Sequence, residues 1–178
     1  MKRKVNTPAK RLTPSALRAR AARIRLVLTD NDGVLTDTGV YYGSDGELLK
    51  RYSIRDGMGI ERLRAAGIET AIVTGEVSGN VKKRAEKLQM RYLYLGVREK
   101  EALLPEILRE TGCTLDQIAY IGDDVNDIGI MTAIAPHGIT AAPADALPQV
   151  AQLVHLRCRT SGGYGAFREF AEWILSSR

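Results

Sequence analysis

The stretch Ile24-Arg-Leu-Val-Leu-Thr-Asp30-Asn-Asp32-Gly33 constrains the fold more than any other part of the chain. A short apolar run rich in branched residues reads as a strand buried on both faces, the habit of a parallel sheet covered by helices. The run stops at two aspartates one residue apart, followed by glycine. Open α/β sheets bind ligands beyond the carboxyl ends of their strands, which is where Asp30 and Asp32 then fall. Two carboxylates this close repel unless a cation or a shared proton intervenes. An oxygen-only site of this kind suits a hard divalent ion such as Mg²⁺. An Asp-Gly turn capped by its own aspartates is the plainer alternative.

The rest of the chain repeats the pattern. Ile68–Thr74, Tyr92–Leu95, Ile118–Ile121, Gly138–Ala142 and Leu153–Leu156 read as further strands. Helical periodicity falls between them at Gly57–Ala66, Ser78–Gln89, Glu99–Glu110, Val125–Ile134 and Tyr164–Leu175. Residues 38–53 alternate around Gly43-Ser-Asp-Gly46 and predict a β-hairpin, too small to be a separate lid. Strands alternating with helices predict an α/β fold: a Rossmann-like, mostly parallel sheet with helices on both faces. The edge formed by the strand ends then collects Asp30, Asp32, Thr74 and Asp123, with Lys100 nearby.

Those groups make up most of a phosphoryl-transfer site. Asp30 can attack phosphorus as a carboxylate nucleophile. Asp32 can protonate the leaving alkoxide and then deprotonate the attacking water. Thr74 and Gly75 offer a hydroxyl and backbone amides to phosphate oxygens, and Lys100 a compact positive charge. Asp123 adds a carboxylate for the metal, and Asp124 and Asp127 can orient waters bound to it. A calcium loop is excluded at Asp123–Asp127, because no glutamate stands at the twelfth loop position.

Taken in order, Asp30-Asn-Asp32-Gly-Val-Leu-Thr-Asp, Thr74-Gly75, Lys100 and Gly122-Asp-Asp-Val-Asn-Asp127 resemble the four motifs of the haloacid dehalogenase superfamily of phosphatases. The resemblance spans about Ile24 to Trp173. It implies an aspartyl-phosphate route with Asp30 as nucleophile and Asp32 as acid/base. It also implies a Mg²⁺ held by Asp30, the backbone carbonyl of Asp32, and Asp123. Gly39–Glu47, Arg55–Ile60 and Gly162–Glu169 are similar to the members without a cap domain that act on phosphates of 3-deoxy-2-keto sugar acids. Such proteins are homotetramers whose hairpins pack between subunits, so the resemblance implies the same assembly here. It also implies a flexible Gly162-Gly163 segment able to reach a site, with Arg168 meeting the substrate. Glu76, with Arg84 and Lys87 on the following helix, leans towards a nine-carbon nonulosonate 9-phosphate. Arg55-Asp56-Gly57 leans towards the eight-carbon octulosonate 8-phosphate, which stands as the alternative; the nine-carbon acid is the expected substrate. A noncatalytic oligomerisation module is the reading from another class.

Charge is unevenly placed. Residues 1–25 hold nine Lys or Arg and no acid, which leaves 17 of the 26 basic residues against 21 acidic ones, a balance of −4. Residues 1–23 are therefore read as a basic, partly helical extension, and residues 24–178 as a single phosphatase domain. Thr13-Pro14 marks the start of the extension's helix. With no aromatic residue before Tyr41 there is no platform for base stacking, so nucleic acid is not the expected partner; an organelle transit segment is a minor alternative. No apolar run is long enough to cross a bilayer, and no secretory signal is visible. Cys113 and Cys158 have neither metal nor redox spacing, which fits a reducing cytoplasm.

Overall fold

The computed structural model describes residues 12–178. Lys2, Arg3, Lys4, Lys10 and Arg11 of the basic extension lie outside the described residues. Helix α1 (Pro14–Ala21) starts where expected. Thr13 accepts the Ala16 N–H at 3.2 Å, and Pro14 occupies the first helical position.

Six strands form one parallel sheet: β1 (Leu26–Thr29), β4 (Glu69–Val73), β5 (Tyr92–Tyr94), β6 (Ile118–Ile121), β7 (Ile139–Ala142) and β8 (Leu156–Arg157). Their spatial order is β5-β4-β1-β6-β7-β8, so the order reverses at β1, beside β6, where a doubly wound sheet opens its crevice. Alternate residues of each strand feed opposite cores. Val27, Ile72, Ala119 and Ile121 pack on one face with α2 (Ile54–Ala65), α3 (Gly79–Lys87) and α7 (Ala166–Ser176). Leu28, Val73, Ile118 and Tyr120 pack on the other with α4 (Leu104–Thr111), α5 (Ile128–Ile134) and α6 (Pro148–Ala151). Both faces are covered, which is why the strands read as near-continuous apolar runs. A separate antiparallel hairpin, β2 (Thr36–Gly43) with β3 (Gly46–Tyr52), rises from the loop after β1.

Several boundaries differ from expectation for physical reasons. Helix α2 begins at Ile54, not Gly57, because the Ser53 hydroxyl caps it by accepting the N–H groups of Arg55 and Asp56. Gly57 and Gly59 sit inside that helix, where a Cβ on Gly57 would press on the Arg84 guanidinium and one on Gly59 on Arg168 and Phe167. The helix expected over 99–110 divides into a 3₁₀ turn at Lys100–Leu103 and α4, because Pro105 cannot continue the preceding turn. The one expected over 125–134 likewise begins as a 3₁₀ turn at Val125–Asp127. The last strand is only Leu156–Arg157, and the four-residue α6 precedes it.

The glycine-rich segment is a correction. Gly162 and Gly163 are buried, with the Gly162 N–H donated to Asp145 at 2.9 Å and the Gly163 N–H to the Val34 carbonyl at 2.9 Å. A side chain on either would overlap the backbone of Gly33 or of Thr36 and Asp37. These glycines permit close packing behind the loop that follows β1, rather than flexibility.

Candidate active site

Asp30 follows β1, Thr74 follows β4, and Asp123 stands two residues beyond β6, so three neighbouring strands deliver them to one edge. The sheet hydrogen bonding runs up to the site: the Asp30 N–H is donated to the Ile121 carbonyl at 3.0 Å, and the Thr74 N–H to that of Tyr94 at 3.0 Å. A cleft of about 200 Å³ opens there, lined by Asp30, Asp32, Thr74, Gly75, Glu76, Asp123 and Asp124, together with Thr38 and Asn126.

Lys100 lies under the cleft, fully buried. Its ammonium is 3.0 Å from Asp30 Oδ2 and 2.7 Å from Asp127 Oδ1. Asp127 is fully buried as well and is the hub of the inner network. Its Oδ1 also accepts the Tyr120 hydroxyl at 2.6 Å, and its Oδ2 accepts the Asp123 and Asp124 N–H groups at 2.8 and 3.3 Å. Gly122 is obligatory at this point, since a Cβ would overlap the Asp127 carboxylate and the Tyr120 ring. Asp124 differs: its carboxylate accepts the Val125 N–H and starts the 3₁₀ turn.

One carboxylate oxygen each from Asp30, Asp123 and Asp127 lies within 4.8 Å of the others. Three carboxylates against the single Lys100 ammonium leave two negative charges uncompensated, the charge of one divalent cation. Asp123 Oδ1 is buried without a hydrogen-bond partner, and such an orphan is costly unless something else binds it. The donor set is all oxygen. These residues fit a hard divalent ion such as Mg²⁺. With no ion among them, burial first and then the neighbouring carboxylates push Asp30 up to about 7 and Asp123 up to about 8. Burial lowers the Lys100 ammonium, but Asp30 and Asp127 outweigh it and hold its pKa above the ordinary value.

Lys50, on β3, was not anticipated. Its ammonium donates to both carboxylate oxygens of Asp32 at 2.7 Å, with the side chain only 2% exposed. Thr36 and the Asn31 side chain also donate to Asp32 Oδ1, each at 3.1 Å. Asp30 Oδ1 accepts the Asn31 N–H at 2.7 Å.

The residues expected to meet substrate disperse. Glu76 lines the cleft. Arg84 instead donates to the Ser53 carbonyl at 2.9 Å and lies over the Tyr52 ring. The Arg168 guanidinium pairs with Glu172 at 2.7 Å on α7. Arg55 and Lys87 are exposed and do not line the cleft. Asp56, between Arg55 and Gly57, is buried and caps α7 by accepting the Gly165 and Arg168 N–H groups at 3.1 and 3.0 Å.

Fold and site together define a Rossmann-like phosphohydrolase of the haloacid dehalogenase (HAD) type. No protein-family model matches the chain. It is 40% identical over 156 residues to the 3-deoxy-D-manno-octulosonate 8-phosphate phosphatase KdsC of Yersinia pestis, a match covering 88% of this chain and 82% of that protein. The structure of the 3-deoxy-D-manno-octulosonate 8-phosphate phosphatase of Moraxella catarrhalis, in complex with magnesium, phosphate and KDO, superposes with a TM-score of 0.86 at 31% identity, covering 93% of this chain and 94% of that one. A chain from Legionella pneumophila assigned to subfamily III A of the HAD superfamily hydrolases gives a TM-score of 0.84 at 34% identity, covering 90% of this chain and 87% of that one. The chain belongs to the KdsC-type phosphatases of the HAD superfamily and is a phosphomonoester hydrolase.

Proposed function

We propose that this chain hydrolyses 3-deoxy-D-manno-octulosonate 8-phosphate through an aspartyl-phosphate intermediate. The observation that carries the substrate is the 40% identity to a phosphatase of that name over 88% of the chain. The leaning towards a nine-carbon acid rested on Glu76, Arg84 and Lys87. It loses support because the Yersinia pestis and Moraxella catarrhalis relatives carry the eight-carbon name.

In this reading an Asp30 oxygen forms a bond to phosphorus as the bond from phosphorus to the sugar oxygen breaks. Asp32 gives its proton to the departing alkoxide, then takes one from the water that cleaves the acyl-phosphate and returns Asp30. The Thr74 hydroxyl and Gly75 N–H hold phosphoryl oxygens, and Lys100 offsets their charge. Asp30, Asp123 and the Asp32 carbonyl would hold Mg²⁺, with Asp127 close behind them; bound there, the ion neutralises charge on the phosphoryl group. A Mg²⁺-bound enzyme supports this reading, because the M. catarrhalis relative is described with magnesium, phosphate and KDO together.

Assembly as a cytoplasmic homotetramer belongs to the same reading. It is supported by the hairpin, which leaves Tyr41, Tyr42, Leu48 and Leu49 exposed, and apolar surface of that kind marks contact sites. No helix among the described residues is long and apolar enough to cross a membrane.

The test compares turnover of the octulosonate 8-phosphate with that of nonulosonate 9-phosphates at saturating Mg²⁺. A higher kcat/KM on the eight-carbon substrate is expected, and preference for a nine-carbon one overturns the assignment. No phosphate release from any of them would favour a noncatalytic module.

A further inference from the structure

Lys50 is a buried cation outside the residues to which the four motifs give a role. It projects from β3, opposite Val40 in the hairpin register, between two carboxylates. On one side it binds both oxygens of Asp32 at 2.7 Å. On the other it lies 3.6 Å from Glu47. Glu47 in turn accepts the Asn80 amide at 2.8 Å and the hydroxyl of Ser78, the residue that caps α3. A chain of contacts therefore runs from α3 through the hairpin to the carboxylate that handles the proton.

An exposed lysine on a hairpin contributes little to such a carboxylate, because water screens it and its side chain is mobile. Lys50 is different in both respects: it is almost fully enclosed, and it is held at both ends. Thr36 and Asn31 contact only Oδ1 of Asp32 and restrain the rotation of its carboxyl plane, whereas Lys50 spans both oxygens and so holds the direction in which the carboxyl group points. Proton transfer demands that orientation, because the donor must stay within hydrogen-bond reach of the departing oxygen.

We infer that Lys50 is a positioning residue for proton transfer, and that the docked hairpin aims Asp32 at the leaving group. The inference rests on Asp32 being the proton donor in the reading above. In the step concerned, the Asp32 O–H bond breaks, the alkoxide gains that proton, and the bond from phosphorus to the sugar oxygen breaks. Lys50 itself gains and loses nothing.

The experiment exploits leaving-group chemistry. A sugar alkoxide needs the proton, whereas p-nitrophenolate leaves without it. In Lys50→Met at saturating Mg²⁺, single-turnover release from octulosonate 8-phosphate should fall about 100-fold, within the usual range for a general acid. The first-turnover burst of p-nitrophenolate from p-nitrophenyl phosphate should stay close to wild type. Equal losses on both substrates would reduce Lys50 to a structural role and overturn the inference, as would no loss on either. Lys50→Arg keeps the cation and a fork that suits a carboxylate. It should recover most of the selective loss; if Lys50→Met does not fold, Lys50→Gln, which removes the cation but keeps a polar group, takes its place with the same expected and overturning results. Asp32→Asn run alongside separates the two layers. If Asp32→Asn shows the selective loss and Lys50→Met does not, the role of Lys50 fails alone. If Asp32→Asn shows none, the reading of Asp32 as proton donor fails first.

Discussion

Gly33 and Asp123 come together so closely that a single methyl group on Gly33 would overlap the Asp123 carboxylate. Gly33 also has φ +88°, a conformation that glycine alone adopts without strain. The loop after β1 and the loop after β6 thus meet without room for any side chain, and the space above them is where the carboxylates converge. Gly33→Ala should displace Asp123 and weaken Mg²⁺ binding on the order of 10–100-fold, as loss of a supporting contact at a metal site does. Calorimetric titration with Mg²⁺ checks this; unaltered affinity would show that the contact does not position Asp123.

The buried Lys100–Asp127 pair should be needed for folding as well as for turnover. Asp127→Asn leaves the fully buried Lys100 ammonium without its closer partner at 2.7 Å. Lys100 keeps Asp30 at 3.0 Å, but the new amide nitrogen would face the Asp123 and Asp124 N–H groups, and leaving buried donors without an acceptor costs about 1–3 kcal/mol. Urea unfolding at fixed Mg²⁺ should report that loss, together with reduced kcat. Wild-type stability in the variant would show that Lys100 does not depend on Asp127.

Metal removal and pH should be coupled. Asp30 and Asp123 are raised to about 7 and about 8. The unfolded chain titrates them in the ordinary carboxylate range, so the metal-free protein holds their contribution in full only below about pH 4 and loses it progressively as the pH climbs to those values. His155, pushed down to about 4 by burial and by Arg20, stays neutral in the folded chain while the unfolded chain protonates it below about 6.5, so below that pH it opposes the fall with one proton against two. The melting temperature without divalent ions should fall between about pH 5 and 8 and level off above that. Saturating Mg²⁺ should flatten that fall and add about 2.7 kcal/mol at a hundredfold excess over Kd. A metal-free melting temperature that rises over this window would contradict the account.

Asp56 should behave as a cap. Asp56→Ala removes the acceptor for the first N–H groups of α7 and should cost about 1–2 kcal/mol of stability. The KM for the sugar-acid phosphate should not move. A raised KM with unchanged stability would return Asp56 to the substrate site.

Much of this was legible in the residues, and what was not has a common cause. Asp30, Thr74 and Asp123 end apolar runs, and a parallel sheet carries such ends to one edge whatever the loops do. The relationships that escaped are long-range pairings of side chains. Lys50 sits among Leu48, Leu49 and Arg51 on a hairpin, and nothing local separates it from a solvated lysine. Its partner Asp32 is 18 residues away and is reached only through the hairpin's register. Asp56 caps a helix 109 residues further on, where capping rules based on neighbours cannot find it. Arg168 resembled an anion-binding residue, but at four residues from Glu172 on one helix face it has a partner of its own. Boundary errors had smaller causes. Pro105 announces its break, and α6, at four residues, is too short to show any periodicity.

The central claim is that Asp30 becomes covalently phosphorylated. The direct measurement is to quench the enzyme during turnover of octulosonate 8-phosphate with Mg²⁺, reduce it with tritiated borohydride, and map the label by peptide mass spectrometry. An aspartyl-phosphate is reduced to homoserine, so the account predicts homoserine at position 30 and nowhere else, absent in Asp30→Asn. Label on another carboxylate, or sustained turnover by Asp30→Asn, would contradict it.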